Sequence, residues 1–261
     1  MLSKNKIKFI QSLERKKIRD QEKLFLAEGD KMVNEAIRSG HAVELLCATE
    51  GFLALNGVAP DAAGEIVRVT VDELQKASLL RSPQNALAVV RMPDHPFRNG
   101  SIDGKLSLAL DCIQDPGNLG TLLRIADWFG IEQLLCSENT ADCYNPKVVQ
   151  ASMGAIFRVK VHYLDLKKTL AEAAGAGLPV FGTFLDGEII YNHPLAGEGI
   201  LVMGNEGKGI SPQVEELIAQ RLFIPSFPEG QKNSESLNVA TAAAICCAEF
   251  RRRLITSDFR G

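Results

Sequence analysis

Leu106-Ser-Leu-Ala-Leu-Asp-Cys-Ile-Gln-Asp-Pro-Gly-Asn-Leu-Gly-Thr-Leu-Leu-Arg124 is the stretch whose reading decides the fold. Residues 106–113 form an apolar run of the kind shown by a strand covered on both faces. Pro116 and Gly117 break it, and Leu119, Leu122, Leu123 and Ala126 then recur at helical spacing on one stripe. Arg124 falls about 140° from Leu119 at 100° per residue, so it faces away from the core, with Thr121 and Trp128 near it. Alone, this loop reads as a helix start capped by Asn118 with a surface cation behind it.

The same alternation continues to the end of the chain. Strands are predicted over 106–113, 133–137, 157–164, 179–184, 199–204 and 221–224, and helices over 119–129, 146–152, 166–174, 212–220 and 237–254. Apolar strands alternating with helices predict an α/β domain with a mainly parallel sheet. Ligands on such sheets bind beyond the carboxyl ends of the strands.

Upstream, residues 24–92 alternate shorter apolar runs with helix-like stretches, which predicts a small α/β unit. The segment 93–104 is rich in Pro, Gly, Asn and Asp and reads as a linker. The expected organisation is an N-terminal domain over 1–96, a linker over 97–104 and a C-terminal domain over 105–261. No solenoid-type repeat or low-complexity tract is present, and the two domains do not echo each other.

With 261 residues, 46% hydrophobic and 23% charged, the chain can bury a real core in either domain. No apolar run approaches the roughly 20 residues that span a bilayer, and the start lacks the apolar stretch of a signal peptide. No membrane partner and a cytoplasmic location are expected. Six cysteines show no Cys-x-x-Cys pair and read as reduced core thiols. His41, His95, His162 and His193 are scattered without metal-ligand spacing, so no metal is expected.

The net charge of −3 excludes a protein that merely coats nucleic acid. Residues 1–23, however, hold eight Lys or Arg against three acidic residues. That segment is either a solvated helix face or a grip on phosphates through counterion release.

Two more stretches sit at predicted strand ends. Leu201-Val-Met-Gly-Asn-Glu-Gly-Lys-Gly-Ile-Ser-Pro212 runs from a buried strand into a loop with three glycines, and Ser211-Pro212 reads as N-cap and first helical residue. A P-loop would need Gly at Val202 and Ser or Thr at Gly209, and the glycine order also fails the dinucleotide fingerprint. Ile224-Pro225 is followed, after the polar loop 226–235, by Ser236-Leu237-Asn238 at the start of an alanine-rich helix. Ser236 is a plausible N-cap. The small residues of 240–248 predict close packing, on the sheet or on a partner.

In this order the three stretches resemble the three motifs of the SpoU (TrmH) family of RNA 2′-O-ribose methyltransferases, within the SPOUT superfamily. The segment 25–37 with 81–90 also resembles the L30e-like substrate-binding domain that precedes many of its catalytic domains. The resemblance implies a C-terminal SPOUT domain with a trefoil knot, S-adenosylmethionine as methyl donor, a homodimer and RNA as partner. The separate N-terminal unit favours ribosomal RNA over tRNA.

It also implies a site. Asn118, Arg124, Glu206, Ser236 and Asn238 would be catalytic, and Thr183, Gly204, Ile224 and Leu237 would contact the donor. The family role of the arginine is activation of the 2′-hydroxyl. A guanidinium has five donors and no acceptor, which argues instead for holding a phosphate and stabilising alkoxide charge. Glu206 could also pair with Arg124. The loop 226–235 is longer than the family's usual connection. The alternative reading is a non-catalytic RNA-binding or ribosome-assembly protein on the same fold.

Overall fold

The structure, a computed structural model, describes residues 2–98, 100–228 and 236–255. Packing divides it into two units, Met1–Asp94 with Asp142–Arg158, and His95–Ala141 with Val159–Gly261. In chain order the first unit contains α1 (Lys4–Ser12), α2 (Lys16–Glu22), β1 (Leu24–Glu28), α3 (Asp30–Arg38), β2 (Val43–Ala48), α4 (Glu50–Asn56), β3 (Glu65–Arg68), α5 (Val71–Ala77) and β4 (Ala86–Arg91). The second begins with β5 (Leu106–Leu110), α6 (Pro116–Trp128) and β6 (Gln133–Ser137). The chain then supplies α7 (Pro146–Ser152) to the first unit. It completes the second with β7 (Lys160–Leu164), α8 (Leu166–Gly175), β8 (Val180–Ile189), β9 (Gly199–Met203), α9 (Pro212–Glu215), β10 (Gln220–Phe223) and α10 (Val239–Arg252).

In the first unit a mixed sheet runs β1-β4-β2-β3, with β4 antiparallel to both neighbours and β3 parallel to β2. Every residue of β1 is buried, so the strand needs cover on both faces. Leu24 and Leu26 face a cluster with Ile10, Leu13 and Leu74. Phe25 points the other way, its ring 4.7 Å from that of Tyr144 and 6.0 Å from that of Phe157. Residues 142–158 thus provide the second cover. Arg19, 1% exposed, pairs with Asp142 and donates Nη1 to the carbonyls of Leu13 at 2.8 Å and Glu14 at 2.6 Å. Thr49 caps α4, an element the periodicity did not predict, by accepting from the Phe52 N–H at 3.3 Å.

In the second unit six strands are ordered β10-β8-β9-β5-β6-β7 and every adjacent pair is parallel. The chain moves outward from β5 through β6 to β7, then builds β8, β9 and β10 on the other side. The switch point falls between β5 and β9, and their residues are entirely buried. α10 packs against α6, and its Phe250 meets Phe181 of β8 edge-to-face at 5.0 Å, so the small-residue helix packs on a helix and on the sheet together.

Several element ends differ from the predicted ones for local reasons. The first strand stops at Leu110 because Cys112 turns to φ +59°, its N–H donating to Ser137 Oγ at 2.8 Å. Phe157 ends a 3₁₀ turn, and β7 starts at Lys160. The helix predicted over 212–220 is a single turn ending at Glu215, because Gln220 already pairs with Phe181. None of the six thiols is in a disulfide and five are buried; burial pushes Cys47 and Cys247 up to about 12, so they stay protonated. No described helix is long and apolar enough to cross a membrane.

Candidate active site

Asp115, rather than Asn118, caps α6: it accepts the N–H of Asn118 at 2.8 Å, and Pro116 takes the first helical position. An Asp before a Pro carried that signal in the sequence. The Asn118 side chain is thereby free for other work. Its Nδ2 donates to Glu206 Oε1 at 2.6 Å, and its Oδ1 accepts from Asn238 Nδ2 at 2.9 Å. Asn238, rather than Ser236, is the N-cap of α10, its Oδ1 accepting the N–H groups of Ala240 at 3.0 Å and Thr241 at 3.2 Å. One amide relay therefore joins residues 88 and 120 positions apart.

The loop after β9 is held from within. Asn205 exchanges two backbone bonds of 2.9 Å with Gly209 and accepts at Oδ1 from the N–H groups of Gly207 at 3.0 Å and Lys208 at 3.1 Å. Its Nδ2 donates to the carbonyl of Cys112 at 2.8 Å, and buried Asp111 accepts the N–H of Ser211 at 2.7 Å. These two residues fix the height at which Glu206 stands, and the motif reading did not single them out. Gly204 has a backbone reason for its identity: a Cβ there would lie 2.4 Å from Gly209 C and Ile210 N.

Beyond the ends of β8, β9 and β10 lies a cavity of about 820 Å³ whose lining includes Thr183, Gly204, Glu206, Ile224, Ser236 and Leu237. All four residues expected to contact the donor meet there. Leu185 and Phe227 add exposed apolar surface at 73% and 78%. A mostly apolar cleft with a few polar groups of this size suits a nucleoside-bearing ligand such as S-adenosylmethionine. A second cavity of about 590 Å³, at the ends of β5, β6 and β7, is lined by none of the expected site residues.

Arg124 is exposed on α6, as its helical phase predicts. No ion pair joins it to Glu206 among the described residues; the carboxylate is engaged by Asn118 instead. Residues 229–235, most of the loop 226–235, lie outside the described residues. In the first unit, the basic segment is partly consumed by structure: Arg19 is buried, Lys6 pairs with Glu65, and Lys16 pairs with Asp20 at 2.8 Å.

A parallel sheet with a cavity past its carboxyl ends, and beside it an Asn–Asn–Glu relay whose glutamate lines that cavity, is the arrangement of a ligand-binding α/β domain. The model of the SpoU rRNA methylase family matches residues 105–248, and the chain belongs to that family. Residues 4–88 match the MRM3-like substrate binding domain. The chain is 32% identical over 248 residues to the 23S rRNA (guanosine(2553)-2′-O)-methyltransferase RlmP of Bacillus subtilis, covering 94% of this chain and 96% of that one. It resembles a putative RNA methyltransferase of the TrmH family from Porphyromonas gingivalis, with TM-score 0.87, 43% identity and coverage of 97% and 99%. It also resembles an AdoMet-bound rRNA methyltransferase from Sinorhizobium meliloti, with TM-score 0.86, 27% identity and coverage of 98% and 97%.

Proposed function

We propose that the protein transfers the methyl group of S-adenosylmethionine to a ribose 2′-oxygen of structured RNA, ribosomal RNA in preference to tRNA. The observation that carries this reading is the relay Asn238–Asn118–Glu206 beside the cavity lined by Thr183, Gly204, Ile224 and Leu237. The preference for ribosomal RNA is supported by the 23S rRNA methyltransferase activity for which the Bacillus subtilis relative is named and by the substrate-binding match over residues 4–88.

The donor supplies an activated methyl group on a good leaving group. The chain's own task is to hold the 2′-oxygen in line and keep water out. Arg124, solvent-facing on α6, binds the adjacent phosphate and stabilises charge developing on the 2′-oxygen, a role its donors suit and a base's role they do not. Asn118 fixes Glu206 by donating to one oxygen, and Glu206 Oε2 makes no hydrogen bond among the described residues, so it has acceptor capacity to orient the ribose. Ser236 lines the same cavity and supplies a hydroxyl toward the acceptor. The same reading includes a trefoil knot in the second unit, a cytoplasmic location and a homodimer. Trp128, 84% exposed one turn beyond Arg124, supports a partner on that face.

The test is transfer of labelled methyl from S-adenosylmethionine into rRNA and tRNA from cells lacking the gene, followed by nucleoside digestion. A 2′-O-methyl product in rRNA is expected, with Arg124→Ala reducing transfer by about 100-fold, the loss typical of removing a charge-stabilising donor. Absent donor binding would instead favour a non-catalytic RNA-binding protein. Light scattering at micromolar concentration checks the dimer.

A further inference from the structure

One wall of the cavity is built from backbone that the sheet does not hold. β8 pairs with β9 only at Val180, Phe181 and Gly182. Against β10 its register jumps: Gln220 and Arg221 face Phe181 and Gly182, whereas Leu222 and Phe223 face Glu188 and Ile189. Residues 183–187 therefore have no ladder partner on either side. Three of them, Thr183, Phe184 and Leu185, line the cavity.

What holds this bulge is a side chain at the register jump. The Arg221 guanidinium lies 3.5 Å from the centroid of the Phe184 ring, over its face. Its Nη2 donates to Asp186 Oδ1 at 2.6 Å, and its Nη1 donates to Glu215 Oε1 at 2.6 Å. A single planar group thus joins two bulge residues to the end of α9, which uses the stacking and fork geometry that a lysine lacks. The pairing holds the Asp186 carboxyl below the usual range. Two glycines make the path possible. A Cβ at Gly182 would lie 2.6 Å from Ile218 Cδ1 and 2.8 Å from the Phe184 ring, and one at Gly187 would lie 2.7 Å from the Arg221 carbonyl oxygen.

We infer that Arg221 is a positioning residue for the methyl donor: by clamping Phe184 and Asp186 to Glu215 it keeps residues 183–185 in the shape that the donor fits. The inference rests on the cavity being the donor site. Arg221 lines neither the cavity nor the Asn238–Asn118–Glu206 relay, so it acts through the bulge alone. Its loss leaves the acceptor side untouched. If the unclamped bulge holds the fitting shape about a tenth of the time, apparent donor affinity falls about tenfold, because affinity scales with the competent fraction.

The experiment measures S-adenosylmethionine binding by calorimetry, and KM for donor and for RNA separately, in full-length wild type, Arg221→Lys, Arg221→Met and Asp186→Asn. The expected result for Arg221→Met is a donor Kd and KM raised about tenfold, with kcat at saturating donor and KM for RNA within about twofold. Arg221→Lys, which keeps charge without the planar stack, falls between it and wild type. Asp186→Asn shifts the same constants in the same direction, and the double variant Arg221→Met/Asp186→Asn adds less than the sum. Unchanged donor constants in Arg221→Met, or a parallel fall in kcat and RNA affinity, overturn the inference. Wild type that fails to bind the donor overturns the reading of the cavity itself, so the two failures are distinguishable.

Discussion

At the scale of single residues, Asn238 does two jobs with two atoms. Oδ1 caps α10, and Nδ2 donates to Asn118. The two can be separated because an ionised Asp accepts as well as Asn but has nothing to donate. Asn238→Asp keeps the cap, so its melting temperature stays near wild type, while methyl transfer falls by about 100-fold as Asn118 and Glu206 lose alignment. Asn238→Ala loses the same activity and also about 1 kcal/mol of stability from the missing cap. Thermal melts beside initial rates check this, and equal stability losses in both variants would remove the capping role. The motif residues were legible in the sequence because their types and order are distinctive. The relay between them was not, since which amide atom meets which oxygen depends on side-chain geometry. The Asp115-Pro116 pair does signal the cap of α6, whereas only the geometry shows that Asn238 rather than Ser236 caps α10 and that Glu206 meets Asn118 rather than Arg124.

At the scale of elements, alternation exposed most of the parallel sheet, because strands buried on both faces are continuous apolar runs. Local ends were less legible. β8 extends to Ile189 through a bulge fixed by Arg221, and nothing in the pattern of residues 183–187 announces a partner 35 positions away. A second long-range junction, between β1 and α5, makes a pH prediction. Glu28 is buried at the end of β1 and accepts from Ser78 Oγ and, at 3.2 Å, from the N–H of Leu79, just past α5. Burial raises its carboxyl above the ordinary 4.5, and the hydrogen bonds only partly oppose that. The folded state thus holds a proton that the unfolded chain has released, so this group's contribution to stability falls as pH rises from about 4.5 through the raised value, then levels off. Glu28→Gln retains an acceptor for Ser78 and removes the charge. In urea titrations across acid to neutral pH, the variant should gain on wild type through that window, and a pH-independent difference between the two would refute the assignment.

At the scale of the whole molecule, the sequence order and the packing order part ways at residues 142–158. The methylase family model spans them without a break, yet they pack within the unit that contains residues 1–94. Local periodicity cannot reveal this, because it predicts α7 correctly and says nothing of which strand α7 covers. The decisive contacts are Phe25 with Tyr144 and Phe157, and Arg19 with Asp142, across 123 positions of chain. Both are stringent. Phe25 is 1% exposed, so losing its cover returns a large apolar side chain to water, and Arg19, equally buried, would keep its charge with only two carbonyls as partners. Removing one partner of a buried ion pair typically costs about 3–5 kcal/mol, a large part of the stability of an ordinary domain. Asp142→Asn should therefore lower the stability of the full-length protein by about 3 kcal/mol, even though Asn can still accept the N–H of Tyr144 at Oδ1. A fragment of residues 1–94, which lacks both partners, should show no cooperative urea transition. A fragment that unfolds cooperatively with the full-length unit's midpoint would mean that β1 closes its second face without residues 142–158.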